Sequence, residues 1–352
     1  MSTKGVLMMN VGTPDEPTVG SVKKYLREFL LDPDVIDIPA PLRHLLVRGI
    51  ILNTRPKKIA PLYQKIWMQD GSPLRVYSDR VASSLGESMA GTKVEFAMRY
   101  GNPSIRYGLE SLKQQGVDEL LLLPMFPHYA QATTESSLKE AHKQLKQMNW
   151  SPKLLEIHHF ETDSEYITPL VHSIKPHINQ ETHLLFSYHG LPVSHVKRID
   201  DSKSHCQKVD DCCSISCDAN QLCYAHHCMK TTLEVVKSLN LEPEQWSLSF
   251  QSRLGPVKWL EPSTVDKVAQ LVGNGVKKLA IVAPAFLVDG LETLEELEIG
   301  IRADFMELGG EELTVIKCLN DEQEWIDGLM KIIENRFQHS INSTNLSASS
   351  TT

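Results

Sequence analysis

The alternation of strand-like and helix-like patterns constrains the fold of this chain more than any other feature. Short apolar runs typical of buried strands alternate with segments in which apolar residues recur every three or four positions, as on one helix face. The predicted strands cover residues 4–10, 93–98, 119–124, 153–157, 183–187, 247–250, 278–283 and 313–316. Helices are predicted over 104–115, 133–147, 163–174, 224–239, 262–274 and 321–337. This alternation of strands and helices predicts βα units that build a mostly parallel sheet with right-handed crossovers.

An internal sequence repeat divides the chain into two halves. Residues 96–101 and 250–255 share the pattern F-x-x-R-x-G, and each copy is followed by a helix and a Gly-Val pair. A buried strand ending in proline then follows in both copies, with Phe126 or Phe286 two residues after the proline. So many coincident positions predict two topologically similar α/β lobes, with a cleft between their strand ends.

Length and composition narrow the class of protein. A chain of 352 residues exceeds what one core usually supports, and 41% apolar with 23% charged residues is ordinary for a globular protein. The formal net charge of -8 and the lack of clustered Lys and Arg argue against a nucleic-acid partner. No signal peptide precedes the first strand, and no apolar run could cross a bilayer. We therefore expect a cytoplasmic protein.

The segment 42–53 mixes apolar with basic residues, among them Arg43, His44 and Arg48. This composition would suit a peripheral contact with the inner membrane, but it also suits a helix that simply covers a core. The sequence leaves both readings open.

His189 lies where chemistry is expected. The run Leu184–Phe186 reads as a buried strand that Gly190 and Pro192 end abruptly, so that His189 falls on a turn at the strand's carboxyl end. Ligands bind at that edge of an open parallel sheet. A lone histidine at such a position can equally be a hydrogen-bonded structural residue.

An acidic segment follows the strand predicted over 278–283. At about 100° per residue, Asp289, Glu292 and Glu296 share one stripe of a helix. A capping box or a solvated helix face would give the same spacing, but this helix starts at the same edge of the sheet as His189. An imidazole facing carboxylates suits ferrous iron and also suits proton abstraction near pH 7.

Six of the seven cysteines lie between residues 206 and 228. Disulfides are disfavoured in a reducing cytosol, so a metal or iron–sulfur site is the more natural interpretation of the cluster.

Taken together, several motifs resemble the ferrochelatase family. They are the segments 187–192 (SYHGLP), 250–256 (FQSRLGP), 289–296, 10–14, 71–74 and 98–101. The resemblance covers residues 5–337. It implies two Rossmann-like, chelatase-type lobes, each with a parallel four-stranded sheet flanked by helices, and a porphyrin cleft between them. It also implies a lyase that inserts Fe2+, its substrate, into protoporphyrin IX to give protohaem, releasing two protons in the last step of haem synthesis.

The resemblance assigns roles to individual residues. His189 corresponds to the histidine that takes a pyrrole proton or binds the incoming iron, and Glu292 corresponds to the glutamate facing it. Asp289 and Glu296 match an acidic path leading outwards, from which Gly300 departs because many relatives carry an acidic residue there. The positions implied to line the porphyrin pocket are Arg99, Tyr100 and Trp259.

An apparent insertion, residues 201–223, carries five cysteines. Some members of the family hold a [2Fe-2S] cluster, and four of Cys206, Cys212, Cys213, Cys217 and Cys223 would serve one. We expect only one of the adjacent pair Cys212 and Cys213 to ligate, and Cys228 falls on a family position that often holds cysteine without any cluster. A structural zinc site is the alternative, but it prefers C-x2-C pairs, which are missing here.

The expected domain organisation follows from these assignments. Residues 1–160 form an N-terminal lobe with a lip over the cleft, and 161–310 form a C-terminal lobe with His189 and the acidic helix. Residues 311–337 pack back as a strand and a helix, and 338–352 are expected to be disordered. A chelatase for another divalent metal or for coproporphyrin III remains an alternative, as does a non-catalytic tetrapyrrole or metal carrier. The sequence does not decide the oligomeric state or the route by which iron enters.

Overall fold

The structure of the protein is a computed structural model that describes residues 2–253, 255 and 257–349, with side chains as far as residue 339. Two residues of the FQSRLGP motif, Leu254 and Pro256, lie outside the described residues, as does the end of the tail at 350–352.

The first lobe is built on a four-stranded parallel sheet. Its strands are β1 (Lys4–Gly12), β2 (Thr92–Tyr100), β3 (Glu119–Pro124) and β4 (Lys153–Glu156), in the order β2-β1-β3-β4. Strand β1 is apolar over consecutive positions because helices cover both faces of the sheet, and Val6 to Met9 are all fully buried. The helices of this lobe are α1 (Val19–Leu30), α2 (Ala40–Leu45), α3 (Leu52–Ile66), α4 (Pro73–Ser88), α5 (Ile105–Gln114) and α6 (Ser136–Gln147).

Residues 40–66, which we call the lip, form one continuous helical run that includes the segment 42–53. A π-helical segment, Leu46–Ile51, joins α2 to α3. The Asn53 amide donates to the carbonyls of Arg48 and Gly49, and the Thr54 hydroxyl donates to the Ile50 carbonyl. These side chains give carbonyls of the π-helical segment additional hydrogen-bond donors.

The second lobe repeats the first. Its sheet contains β5 (Thr182–His189), β6 (Trp246–Gln251), β7 (Lys278–Val282) and β8 (Glu312–Val315), all parallel, in the order β6-β5-β7-β8. Its helices are α7 (Ser164–Ile174), α8 (Val193–Ile199), α9 (Tyr224–Leu239), α10 (Thr264–Gly273), α11 (Arg302–Glu307) and α12 (Gln323–Ser349), with a π-helical segment at Glu292–Ile301. The two identical strand orders confirm the predicted pair of four-stranded parallel sheets flanked by helices.

A shared core joins the lobes. One hydrophobic cluster contains β1 residues such as Met8 together with β5 residues such as Phe186 and with Trp325 of α12. Helix α12 packs mainly on α7 and also reaches α4 and β4. The two parts of the segment 311–337 therefore pack in different places. Strand β8 completes the second sheet, whereas α12 contacts both lobes.

Helix α12 runs to Ser349 and so includes most of the segment 338–352 for which we predicted disorder. Backbone hydrogen bonds can extend from an anchored helix even where the sequence has little to bury, because propagation is easier than nucleation. Among the helices described, none is both long enough and apolar enough to span a bilayer.

Candidate active site

His189 is the last residue of β5, the second strand of its sheet. It pairs in register with Gln251, the last residue of β6. The chain then turns, and Gly190 donates its N–H to the Gln251 carbonyl at 2.7 Å. A side chain at Gly190 would collide with that carbonyl, so the close approach of the two strand ends requires glycine. The strand end thus presents His189 at the carboxyl edge of the sheet, as predicted.

Hydrogen bonding determines which ring nitrogen of His189 is available. Its Nδ1 lies 2.7 Å from the Gly190 carbonyl oxygen, which can only accept, so Nδ1 carries the proton. The Nε2 lone pair is then left for a proton or a metal ion. The ring is partly exposed and lies 6.2 Å, centroid to centroid, from Phe286, which follows β7.

Glu292 is the acidic neighbour of His189. It is the first residue of the π-helical segment that follows β7. Burial raises the pKa of the Glu292 carboxyl, the charge of His189 opposes that rise, and the charge of Glu296 adds to it. A carboxylate with a raised pKa is a better proton acceptor than an exposed one, and here it faces an imidazole.

Asp289 does not share the stripe predicted from the sequence. It lies before the helix begins and is buried. Its carboxylate accepts hydrogen bonds from the Asn320 amide at 2.7 Å and the Thr293 hydroxyl at 2.9 Å. Asp289 thus anchors the start of the helix, and of the three acidic residues expected on one stripe only Glu292 and Glu296 lie in the helical segment; the acidic path itself stays a prediction. The 100° spacing assumed an α-helix, whereas this segment is π-helical, with i→i+5 bonding.

Glu296 is held in place by Ser252 at the end of β6. The backbone N–H of Ser252 donates to Glu296 at 2.7 Å and its hydroxyl donates at 2.5 Å. Ser252 adopts a positive φ of 64°, a conformation uncommon for a residue with a side chain. The strand ends of the second lobe therefore orient both members of the Glu292–Glu296 pair, since Gln251 also donates to the Glu292 carbonyl.

The first lobe presents aromatic side chains to this site, and of these the sequence analysis had indicated only Tyr100. Tyr25 and Tyr63 are buried in the cluster against which Leu291, the neighbour of Glu292, packs. Burial and then the nearby charge of Glu292 raise the pKa of the Tyr63 phenol. One hydrophobic cluster holds two groups of contacting rings, Tyr25–Phe29–Tyr100 and Tyr63–Trp67, and we call these five side chains the aromatic face. Aromatic residues at helical spacing on α1 and α3 could have indicated it, but they read equally well as core.

The lip also contacts the acidic helix, the π-helical segment Glu292–Ile301, directly. Lys65 of α3 forms an ion pair with Glu295 at 3.0 Å, and Leu291 packs against the cluster that contains the aromatic face. The two lobes therefore meet over the site, with aromatic rings on one side and His189 and Glu292 on the other.

Arg99 and Tyr100, two of the expected pocket residues, belong to a buried polar cluster at the end of β2. The Arg99 guanidinium and the Tyr100 hydroxyl both donate to Asp32, and Arg99 also donates to the Ser136 hydroxyl at 2.8 Å. Tyr100 joins the aromatic face, whereas Arg99 lines a separate cavity of about 320 Å³ together with Lys139. The structure thus brings Tyr100 to the site more directly than Arg99.

Trp259, the third expected pocket residue, lies beside the turn that follows His189. It is buried and pairs with Pro192 in an antiparallel bridge. A methyl group at Gly190 would lie 3.3 Å from the Trp259 ring. The indole therefore lies against the turn that carries His189, and its part in a porphyrin pocket stays a prediction.

The cysteine loop, residues 201–223, gathers four thiols and separates a fifth. Interactions among the thiols link Cys206, Cys212, Cys213 and Cys223, and the Cys212 and Cys213 sulfurs are 3.9 Å apart. Cys217 lies beside the His205 ring instead, at 3.7 Å. The loop therefore places both adjacent cysteines in one group, and the expectation that only one of them ligates stays a prediction.

A second group of potential metal ligands consists of His159, Glu161 and His227, whose ligand atoms lie within 4.8 Å of one another. The ring nitrogens of His227 are both engaged, because the Tyr129 N–H donates to Nδ1 and Nε2 donates to the Gln221 carbonyl. Lys230 already pairs with Glu161 at 2.5 Å. These contacts make the group a buried ion-pair network that has no free imidazole lone pair on His227.

Two comparisons of sequence agree on the family. Residues 3–337 match the family model described as ferrochelatase. The ferrochelatase of Ectopseudomonas mendocina is 42% identical over 336 residues, which span 95% of this chain and 98% of that protein. The ferrochelatase of Coxiella burnetii (strain Dugway 5J108-111) is 41% identical over 337 residues, which span 95% and 94% of the two chains.

Solved structures show the same fold at low identity. SirB from Bacillus subtilis with Fe3+ superposes with a TM-score of 0.55 at 9% identity, over 96% of this chain and 95% of that one. The sirohydrochlorin chelatase SirB from Bacillus subtilis subspecies spizizenii, in complex with cobalt, gives a TM-score of 0.52 at 10% identity, over 96% and 94%. The family model matches nearly the whole chain, and a relative covered over 98% of its length is 42% identical in sequence, so this chain belongs to the ferrochelatase family.

Proposed function

We propose that this protein inserts ferrous iron into protoporphyrin IX and releases two protons. The observation that carries the proposal is the juxtaposition of an imidazole with a free Nε2 and a partly buried carboxylate of raised pKa, His189 and Glu292, opposite an aromatic face. A planar macrocycle fits between aromatic rings, and its two N–H protons need two acceptors.

The geometry supports separate roles for the aromatic side chains and for the His189–Glu292 pair. The aromatic face and Trp259 hold the ring, and binding energy from the rest of the macrocycle can be used to distort it and expose its nitrogen lone pairs. His189 accepts a proton or receives the iron at Nε2. Glu292 takes the second proton, and Glu296, oriented by Ser252, continues the route away from the site.

The test is an anaerobic assay with ferrous iron and either protoporphyrin or coproporphyrin. We expect wild-type protein to metallate protoporphyrin faster than coproporphyrin, and His189→Ala to lose at least about 100-fold in kcat. His172→Ala is the control, because His172 is exposed and pairs only with Glu324 on the surface.

The alternatives predict different results in that assay. A tetrapyrrole carrier would bind porphyrin without metallating it, and His189→Ala would leave its affinity unchanged. Faster turnover with coproporphyrin would replace the proposed substrate. Undiminished iron insertion by His189→Ala would refute the assigned role of His189.

We also propose that the cysteine loop holds a [2Fe-2S] cluster through Cys206, Cys212, Cys213 and Cys223. The four thiols lie close enough to raise one another's pKa, and Cys223 stands immediately before the N-terminus of α9, whose positive end suits an anionic sulfur ligand. A tetrahedral zinc site would require all four sulfurs within about 4 Å of one another. Among the described residues, no three cysteine sulfurs come within 4.8 Å of each other, which is wider than a tetrahedral zinc site would hold them. Such a cluster supplies a one-electron redox group and a covalent crosslink of the loop.

The visible spectrum of anaerobically purified protein tests the cluster. We expect a brown protein that contains iron and inorganic sulfide, and we expect Cys217→Ser to keep the colour while Cys206→Ser loses it. A colourless protein containing zinc would refute the cluster, and bleaching by Cys217→Ser would refute the ligand set.

Finally, we propose that the lip lets this cytoplasmic protein contact the inner membrane at its surface. Leu42, Leu45 and Ile50 are 57%, 68% and 60% exposed, and the exposed His44 and Arg48 lie among them. Apolar side chains with basic neighbours suit an anionic lipid surface.

Cosedimentation with vesicles tests this contact. Vesicles rich in phosphatidylglycerol should bind the protein, and Leu45→Glu should weaken binding several-fold. Leu233→Glu, at a residue that is 42% exposed on α9, serves as the matched control. Equal binding of both variants would exclude the lip as the contact.

A further inference from the structure

We propose that Tyr224 is a positioning residue for His189 and that it couples His189 to the cysteine loop. The inference rests on the proposed role of His189 in metal insertion. Tyr224 is the first residue of α9 and is buried, and it follows Cys223 directly.

The contact that carries the inference is a hydrogen bond to the main chain of His189. The Tyr224 hydroxyl donates to the His189 carbonyl oxygen at 2.9 Å. That oxygen belongs to the same peptide plane as the Gly190 N–H, which donates to the Gln251 carbonyl at 2.7 Å. One rigid peptide group is therefore held at both ends, by Tyr224 on one side and by β6 on the other.

The orientation of the imidazole depends on this peptide group. The His189 ring is attached next to the group, and its Nδ1 donates to the carbonyl of the following residue, Gly190. If the Tyr224 hydroxyl is lost, the peptide group can tilt, and both the ring and its acceptor then move. The Nε2 lone pair would be displaced from the porphyrin centre while the walls of the pocket stay in place.

The first turn of α9 is tied to the cysteine loop at several points. His226 Nδ1 donates to the Cys213 carbonyl at 2.7 Å, and His227 Nε2 donates to the Gln221 carbonyl at 2.7 Å. Both imidazoles are buried. Because Tyr224, His226 and His227 share one helical turn, a displacement of the loop moves the Tyr224 hydroxyl relative to His189.

The first experiment compares Tyr224→Phe with Tyr166→Phe. Tyr166 is also buried and donates its hydroxyl to a main-chain carbonyl, that of Pro284, at 2.7 Å. We expect kcat for iron insertion to fall about 5- to 10-fold in Tyr224→Phe alone, equivalent to a little over 1 kcal/mol at the transition state. The KM for protoporphyrin, and its Kd measured by fluorescence without metal, should stay within about twofold, because the pocket walls are unchanged.

The outcomes separate the possible roles. An equal loss of kcat in both variants, no loss in Tyr224→Phe, or a loss confined to KM and Kd would overturn the positioning role. If wild-type protein inserted no iron, the proposed function itself would fail. Normal wild-type activity with unchanged Tyr224→Phe would contradict only this inference.

The second experiment tests the coupling through His226. We expect His226→Ala to lower kcat several-fold without raising the Kd for metal-free protoporphyrin, and His226→Asn to restore most of it, because an amide N–H can replace the imidazole N–H. The double variant of Tyr224→Phe and His226→Ala should be no more than about twofold slower than Tyr224→Phe. Multiplicative losses would show that the two residues act independently and would refute the coupling.

Discussion

Replacing Gly190 with alanine should misplace His189 without removing any functional group. A Cβ at this position would lie 2.7 Å from the Gln251 carbonyl oxygen, which belongs to the backbone of β6 and cannot rotate away. An ordinary carbon–oxygen contact is about 3.4 Å, so the two strand ends must separate by about 0.7 Å.

This separation has two costs. It stretches the Gly190 N–H···O bond from 2.7 Å to a length at which little of it remains, a loss of about 1 kcal/mol. Crowding against the backbone and the Trp259 ring adds about 1–3 kcal/mol. We therefore expect Gly190→Ala to lower the free energy of unfolding by about 2–4 kcal/mol. Because a 1 Å misplacement of a reacting group costs about 100-fold, kcat should fall roughly 10- to 100-fold.

The assay combines loss of protoporphyrin fluorescence during anaerobic iron insertion with urea unfolding of the same samples. Gly273→Ala is the matched control, because Gly273 lies in α10 and no heavy atom lies within 4 Å of an added Cβ. That variant should gain about 0.5–1 kcal/mol of stability and keep its kcat. If Gly190→Ala retained kcat within twofold of wild type, the close contact between Gly190 and the Gln251 carbonyl would not position His189.

Two other side chains give contrasting predictions. Glu292→Gln should lower kcat by about 10²–10⁴-fold in the same assay, because the proposed proton acceptor is lost. Glu295→Gln, which loses its ion pair with Lys65, should keep kcat within about threefold. Equal losses in the two variants would contradict the role of Glu292 as a proton acceptor. Burial would raise the pKa of Glu161, but its hydrogen bond to His159, the charge of His227 and its pairing with Lys230 hold the pKa well below the ordinary 4.5. The carboxylate therefore stabilises the fold fully above pH 4.5 and progressively less as the pH falls. Urea unfolding should show Glu161→Gln about 3 kcal/mol less stable than wild type at pH 7, with the difference shrinking at pH 3; a constant difference would refute the ion-pair origin.

The position of His189 could be predicted because its signals are local. A buried strand is apolar over consecutive residues, and Gly190 and Pro192 end it, so the strand predicted at 183–187 is found at Thr182–His189. The repeated strand order could likewise be predicted from the internal sequence repeat. Both features depend on residues close together in sequence, where periodicity and turn residues are informative.

The environment of Asp289 could not be predicted because its partners are remote or geometric. Asn320, which binds its carboxylate, lies 31 positions further on, and no periodicity connects the two. The π-helical bonding after Glu292 likewise depends on tertiary contacts that the composition of the helix does not encode. The grouping of the cysteines depends on the path of an irregular loop, which turns Cys217 towards His205.

The Lys65–Glu295 ion pair connects the lip to the acidic helix across the entrance of the cleft. Lys65 is about half exposed, at 48%, so mobile ions can reach and screen the pair. If the lip and the helix must separate for a metallated macrocycle to leave, that step breaks the pair. Ionic strength should therefore control residence time: added salt should speed the departure of the product while leaving the chemical step at His189 unchanged, so that turnover measured over many cycles rises with salt and a single turnover does not.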